Sequence, residues 1–393
     1  MFNIKKNYFY YFLLIYLIIS ITASLNVGIT HDERFDLHNF QLQQNIISNF
    51  FLKTDLNTEY LYGEKAYMSA FYGVGFHFFS YPFEKIFSFI FISNDFSNEG
   101  LNLILKHPSI IIFFALSGFY LRKIMYIITQ DINFSSISGI FYLLYPYVLG
   151  HSFFNTKDIP FMSVWLICTY FFICILKKFY EKNKIDLKMI ILLGFLTSYL
   201  FSVRIIGLLI FIEFIIFITI FLFFKKLKFI SFSKIAYKPI ALFSLIFLLG
   251  VYILNPNFWE KPQIIFQAVN FFKNHIQSVC TLTLGECMKA QNLSPTYLPI
   301  WIFFKIPIII LSGFILIPLV EKRIFKKDFN GIVFGSLLTT IVSIILILIF
   351  TNAILYDELR HVLFLVPLIF IVSLASSYYF FSKKVIITIL FIN

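Results

Sequence analysis

Ten apolar runs are the feature that most constrains the fold of this 393-residue chain. Several reach the roughly 20 residues that an α-helix needs to cross the hydrocarbon core of a bilayer. The chain is 59% hydrophobic and contains 55 Phe, which is more apolar surface than a soluble domain could bury. We therefore predict an all-α polytopic membrane protein with about 10–12 transmembrane helices. The runs are 8–29, 108–128, 135–150, 160–176, 189–203, 206–224, 239–254, 299–320, 331–351 and 361–381.

The distribution of charge predicts how these helices are oriented. If the N-terminus is cytoplasmic and the runs alternate, the cytoplasmic ends and loops hold 20 of the 32 Lys and Arg residues. The opposite side then holds 14 of the 20 Asp and Glu residues. This asymmetry follows the positive-inside rule. It accounts for the net charge of +12 without a nucleic-acid partner. The expected environment of the helices is the lipid bilayer.

No fixed-period repeat or low-complexity linker divides the chain, so residues 1–393 are predicted to form one domain. Three outward segments stand out, at 30–107, 150–160 and 255–298. Residues 71–92 are apolar, but counting them as a span would invert every later loop. We therefore predict a juxtamembrane or membrane-dipping helix there, within the first outward loop.

Four cysteines fall into two pairs. Cys168 and Cys174 lie in an apolar run and are expected to pack as small hydrophobic residues. Cys280 and Cys287 share the third outward segment, where the spacing permits a local disulfide but does not establish one.

Ionisable residues gather in the outward segments rather than in the middle of the runs. The stretches are HDERFDLH (31–38), NTKD (155–158) and YDELRH (356–361), joined by the isolated Arg204. Ionisable groups near hydrocarbon are costly and usually functional. We therefore predict a polar cavity at the outward face, covered by the loops at 30–107 and 255–298.

Asp32 is the strongest candidate for a general base. Acidic residues that follow a span often only mark the solvated end of a helix. Here Asp36 lies on the same helical face as Asp32, beside Phe35. A crowded and partly dehydrated carboxylate suits a base that works near neutral pH.

The remaining candidates are Asp158 and several cationic residues. Asp158 opens an apolar run, so it is a candidate for a helix cap as well as for a binding residue. Lys157 beside it offers a point charge for a phosphate. Arg204 has no acidic residue near it in sequence, and an unpaired Arg close to hydrocarbon is expensive. Arg360 and His361 begin the last full run, where a snorkelling Arg is common.

The chain lacks the common sequence motifs of nucleotide, hydrolase and zinc sites. It contains no Walker loop, no GxSxG, no HExxH and no paired CxxC. His31 and His38 flank two carboxylates, but their separation is not a compact ligand spacing. No cofactor is identified, and a divalent metal is left open.

Four stretches resemble the GT-C membrane glycosyltransferases, and within them the bacterial family 39 enzymes such as protein O-mannosyltransferase-like and aminoarabinose-transferase-like proteins. They are THDERFDLH, LGHSFFNTKDIPF, LSPTYLPIWIFFKIPI and YDELRHVLFLVP, in chain order. The resemblance covers most of the chain in order and spacing. Each motif is weak alone, and their combination is fairly specific.

The resemblance implies an inverting transfer of a sugar from a polyprenyl-phosphate donor to a glycan, lipid or protein acceptor. It places the site on the outer face of a bacterial inner membrane. It implies Asp32 as the general base, Glu33 as its support and Asp158 as a residue that positions acceptor or donor. The candidate substrate-binding residues are Asn155, Lys157, Asp158, Arg204, Arg360, His361 and Lys65, the last in a context (YGEKAYM) that departs from the family's Lys-Pro-Pro.

Two other functions are compatible with the same residues. A transporter or flippase of lipid-linked sugars would line its path with polar groups near the bilayer midplane. In this chain the positions in the middle of the runs are nearly all apolar, and the notable exception is Glu213. A non-catalytic subunit of a membrane complex would tolerate the loss of Asp32. The sequence does not identify the sugar or the acceptor.

Overall fold

A computed structural model describes residues 4–53, 71–90, 98–259, 262–274, 280–290, 293–325 and 328–381. Within these ranges, seven helices are long and apolar enough to cross a membrane, or up to nine if each of two bent helix pairs is one span. A further apolar helix, Leu187–Val203, is shorter. The prediction of an all-α polytopic membrane protein is confirmed.

The described residues form seventeen α-helices. In chain order they are α1 (Ile4–Ser24), α2 (His31–Leu52), α3 (Gly75–Ile90), α4 (Asn98–Ile104), α5 (His107–Thr129), α6 (Ile132–Leu143), α7 (Pro146–Ser152), α8 (Asp158–Lys182), α9 (Leu187–Val203), α10 (Ile210–Lys225), α11 (Phe229–Leu254), α12 (Ile264–Asn274), α13 (Tyr297–Lys305), α14 (Ile308–Ile315), α15 (Ile317–Ile324), α16 (Phe329–Phe350) and α17 (Val366–Phe380). Short 3₁₀ turns at Ile205–Leu209, Pro256–Phe258 and Arg360–Leu365 lead into or out of these helices.

Two of the predicted runs are broken helices. The run at 135–150 bends by 62° between α6 and α7, and the run at 299–320 bends by 116° between α13 and α14. Pro146 begins α7 and Pro307 precedes α14. Proline has no N–H to continue the helical ladder and disfavours helical backbone at the residue before it, so each run breaks at its proline.

Contacts at the helix ends show how α1, α5 and α6 are arranged relative to one another. Nδ1 of His107 lies 2.9 Å from the carbonyl oxygen of Ser24, which joins the end of α1 to the start of α5. At the other end, the Tyr8 hydroxyl donates to the Asn133 carbonyl across 2.8 Å. The end of α1 and the start of α5 therefore lie at one end of the bundle, and the starts of α1 and α6 lie at the other.

Aspartates begin helices at the opposite end of the bundle. The Asp131, Asp186 and Asp328 side chains accept hydrogen bonds from backbone N–H groups in the first turns of α6, α9 and α16. Such caps satisfy donors that have no partner within the helix. Three short polar connections thereby set where these helices start.

The interior is apolar with small residues where helices touch. Trp165 of α8 is fully buried at its centre. A Cβ on Gly250 of α11 would lie 2.1 Å from the Ser198 hydroxyl oxygen of α9, so only glycine allows this approach.

Most of α11 faces outward with exposed Ile and Leu side chains, as expected of a helix in lipid.

One boundary differs from the sequence-based prediction. Residues 225–238 were expected to form a cytoplasmic loop, but α11 begins at Phe229 and continues through Pro239. Lys234 and Lys238 are one turn apart in this helix, so long cationic side chains reach water without breaking it. The segment at 71–92 contains the 16-residue α3, which is not among the candidate spans.

A two-stranded hairpin lies in the third outward segment. Strands β1 (Cys280–Thr283) and β2 (Glu286–Lys289) are antiparallel, with Thr283 opposite Glu286. Leu284 and Gly285 form the turn with positive φ angles of 52° and 86°, as two-residue hairpins favour. A disulfide joins Cys280 to Cys287.

Candidate functional site

A polar cavity of about 250 Å³ opens at the end of the bundle where the outward segments meet. This volume is just below the roughly 300–1,000 Å³ of typical small-molecule pockets. Three separate stretches contribute to its wall, so it exists only in the folded chain. The lining residues are Thr30, His31, Asp32, Glu33, His151, Phe154, Asn155, Thr156 and Arg360.

The first wall is the N-terminus of α2, which Glu33 holds in place. Glu33 Oε1 accepts hydrogen bonds from the Thr30 backbone N–H at 2.8 Å and the Thr30 hydroxyl at 2.7 Å. Its Oε2 lies 2.7 Å from His107 Nε2, and both side chains are buried. The pattern is a capping box tied to a neighbouring helix. Glu33 therefore uses both oxygens on structural partners.

The second wall is the N-terminus of α8, where Asn155 provides the cap. Asn155 Oδ1 accepts from the backbone N–H groups of Lys157 and Asp158 at 3.2 and 2.8 Å. The alternative prediction that Asp158 caps its own helix is wrong, since its carboxylate makes no such bond. Asn155 lies just before the helix, where its short side chain reaches back to these donors.

Asp158 instead sits between two arginines. Its Oδ1 pairs with Arg204 Nη1, and its Oδ2 accepts from Arg360 Nε at 2.7 Å and from Asn155 Nδ2 at 2.9 Å. The side chain is only 2% exposed. A buried carboxylate needs such compensation, because an unpaired charge away from water is costly.

Arg204 was expected to lack a partner because no acidic residue lies near it in sequence. The structure corrects this expectation, since Asp158 is 46 residues away and yet forms its ion pair. The backbone of Arg204 ends α9 in an extended conformation. It is packing of α9 against α8 that brings the two charges together.

Arg360 is the centre of the charged cluster. Its three nitrogens engage three different carboxylates: Nε pairs with Asp158, Nη2 with Asp32, and Nη1 lies 3.3 Å from Asp357 Oδ2. The partners differ in exposure, at 2% for Asp158, 50% for Asp32 and 45% for Asp357. Two of the three pairs are thus open to water.

Asp36 and Lys157 form a second ion pair beside this cluster. The buried Asp36 also accepts from the Thr156 hydroxyl at 2.7 Å. Asp32 and Asp36 were predicted to share a crowded, partly dehydrated face, but only Asp36 is buried. The ammonium of Lys157 lies 4.5 Å from the centre of the Tyr72 ring, within cation–π range.

Two tyrosines lie near the arginines. Burial raises the pKa of Tyr72 to about 12 and also raises the pKa of Tyr356. Both phenols therefore remain neutral hydrogen-bonding groups at physiological pH. His361 packs edge-on against Tyr356 with ring centres 4.1 Å apart.

No family model, curated protein or solved structure matches the chain.

The structure brings together seven of the nine predicted site residues. Asp32, Asn155, Asp158, Arg204 and Arg360 form the charged cluster with its cap, Glu33 anchors it, and Lys157 stands beside it. His361 packs next to the cluster without an ion pair among the described residues. Lys65 lies outside the described residues. Within the described ranges, no group of three His, Cys, Asp or Glu residues is arranged to hold a metal ion.

Sequence reasoning missed the buried supports of α2. Besides His107, they include Lys106, whose ammonium lies 3.1 Å from His77 Nδ1 and 5.5 Å from the centre of the Phe40 ring. Burial, followed by the charge of Lys106, lowers the pKa of His77 well below its usual value. Lys106 and His107 end the first outward segment, so their polarity at the start of a span was the available signal.

Proposed function

We propose that this protein is a GT-C-type membrane glycosyltransferase that transfers a sugar from a polyprenyl-phosphate donor to an acceptor hydroxyl or amine. One observation carries the proposal. A half-exposed carboxylate, Asp32, and a cation, Arg360, share a polar cavity at one end of an apolar helical bundle. A lipid-linked donor would enter from the bilayer and an acceptor from water. In the proposed orientation this end faces the exterior of a bacterial inner membrane.

Asp32 acts as the general base in the proposed reaction. The acceptor heteroatom attacks the anomeric carbon and loses its proton to the Asp32 carboxylate. The bond from that carbon to the phosphate oxygen breaks, and its electron pair leaves with the polyprenyl phosphate. The configuration at the anomeric carbon inverts because there is one displacement. A phosphate leaves without protonation, so no second acid is required.

Arg360 receives the donor phosphate by exchanging one anion for another. Each of its three nitrogens already faces a carboxylate, so a phosphate that approaches the guanidinium competes with one of them. Asp158 is buried and held by two further partners, whereas Asp32 and Asp357 are open to water. The phosphate therefore displaces the exposed carboxylates. This exchange frees Asp32 when the donor is bound.

The neighbouring residues support the same exchange. Arg204 shares the Asp158 carboxylate and adds positive charge where the leaving phosphate gains negative charge. Lys157 and His361 complete the cationic and polar rim, and Asn155 orients Asp158. Glu33 supports Asp32 by fixing the first turn of α2.

The test is donor turnover by the purified protein in lipid. Polyprenyl-phosphate sugars are supplied with and without an acceptor, and release of polyprenyl phosphate is measured. We expect Asp32→Asn to lower the rate by about 10²–10⁴-fold, as for loss of a general base. Asp186→Asn, an acidic residue at the opposite end of the bundle, is the matched control and should turn over normally.

Equal release by wild type and Asp32→Asn would refute the assignment of the base. Transbilayer movement of the donor without turnover would favour the transporter instead. The midspan Glu213 lends that alternative no support, because it is buried and accepts hydrogen bonds from Trp165 Nε1 at 2.7 Å and the Thr169 hydroxyl at 2.5 Å. Absence of both activities with every donor would favour the non-catalytic subunit.

A further inference from the structure

The turn directly before Arg360 has an unusual backbone. Asp357 and Glu358 are consecutive and have φ angles of 53° and 62°. Residues with a Cβ rarely adopt this left-handed region, and two in succession require support from the surrounding structure. Because Arg360 follows two residues later, the conformation of this turn decides where its guanidinium lies.

The third outward segment and α13 supply that support. The Asp357 backbone N–H donates to the Thr281 hydroxyl at 3.2 Å, and the Glu358 N–H donates to the Tyr297 hydroxyl at 3.1 Å. The Glu358 side chain pairs with Lys305 at 2.6 Å. Both left-handed residues are therefore held by side chains from a stretch about 60 to 76 residues earlier in the chain.

The supporting residues are themselves anchored. Thr281 belongs to β1, which is tied to β2 by the ladder and the Cys280–Cys287 disulfide. Trp301 Nε1 donates to the hydroxyl of the buried Thr283 at 3.2 Å, which fastens the hairpin to α13. Tyr297 is 1% exposed. The hairpin and α13 thus form a base for the turn.

We propose that Thr281 and Tyr297 are positioning residues that hold the left-handed turn and thereby place Arg360 in the cavity. What Arg360 binds there rests on the proposed function, whereas the placement itself does not. Neither residue forms a hydrogen bond or an ion pair with Arg360 among the described residues. They act through the backbone of Asp357 and Glu358.

The placement is tested without any substrate by the reactivity of Arg360. Phenylglyoxal labels arginine side chains, and mass spectrometry of the intact membrane-embedded protein gives the rate at each position. We expect Thr281→Val and Tyr297→Phe to raise the labelling rate of Arg360 about fivefold, the effect of one lost hydrogen bond. Arg323, which bonds to the Tyr379 carbonyl and has no part in the cluster, is the internal reference and should be unchanged.

Binding of polyprenyl phosphate in nanodiscs is the second measurement, with the uncharged polyprenol as control ligand. The same two variants should bind polyprenyl phosphate about fivefold more weakly than wild type. Thr351→Val is the matched control, because the Thr351 hydroxyl bonds only to its own helix.

A rescue variant separates positioning from general loss of structure. Glycine adopts positive φ without strain, so Glu358→Gly should make the turn independent of the Tyr297 hydroxyl. The effect of Tyr297→Phe on Arg360 labelling should therefore be much smaller when Glu358→Gly is present in both proteins compared.

Each outcome bears on the inference. Unchanged Arg360 labelling in both variants, an equal rise at Arg323, or a failed rescue would overturn it. Increased Arg360 labelling with no binding of polyprenyl phosphate by wild type would support the positioning role and refute the proposed function.

Discussion

The N-termini of α2 and α8 present the same residue type to the same arginine, and the two sites differ in almost everything else. Asp32 is half exposed, and Arg360 is its ion-pair partner. Asp158 is 2% exposed and is held by Arg204, Arg360 and Asn155. Both lie in the first turn of a helix, where the helix dipole favours a negative charge.

The difference in burial gives the two carboxylates of this cluster different roles. A buried carboxylate with three partners has no alternative to them, because leaving them would strand charges away from water. An exposed carboxylate loses little when its partner leaves, since water replaces it. Asp158 is therefore the fixed element of the cluster, and Asp32 is the one free to change partners.

The largest expected effect comes from removing the fixed carboxylate. Asp158→Asn would leave Arg204 and Arg360 without their buried partner and should lower the free energy of unfolding by about 3 kcal/mol. Denaturant titration in mixed micelles measures this change. Asp186→Asn is the control, because Asp186 pairs with a partly exposed Lys178 and Asn still caps a helix. Equal stability of Asp158→Asn and wild type would remove the distinction between the two carboxylates.

A smaller loss is expected at the cap of α2. Glu33→Gln keeps the shape of the side chain but weakens its bonds to Thr30 and His107, and should cost about 1–3 kcal/mol of unfolding free energy. The same titration measures it. Turnover should fall far less than in Asp32→Asn. A loss of turnover as large as that of Asp32→Asn, with stability intact, would make Glu33 part of the chemistry.

The smallest expected effect is on binding of the donor phosphate. Asp32→Asn removes a competitor for Arg360, so polyprenyl phosphate should bind up to about fivefold more tightly, the range of an exposed ion pair. Asp357→Asn should tighten binding similarly, since Asp357 competes for the same guanidinium. Binding in nanodiscs is measured as a dissociation constant. Weaker binding by Asp32→Asn would show that phosphate and Asp32 do not exchange.

The helices themselves were largely predictable from local pattern. Apolar runs long enough to span a bilayer became helices, and Pro146 and Pro307 marked the places where two of them bend. Local pattern failed at 225–238, where scattered lysines resembled a loop although their side chains project from a helix. It also could not tell which residue caps α8, because Asn155 and Asp158 both suit a helix start.

The sequence by itself determined the class of protein and the end of the bundle where charge collects, because hydrophobic length and charge asymmetry act locally along the chain. Only the tertiary structure decided the pairing within that end. Arg360 meets Asp158 across 202 residues and Asp32 across 328, and Arg204 meets Asp158 across 46. Ion pairs depend on distance in space and on burial, and helix packing sets both.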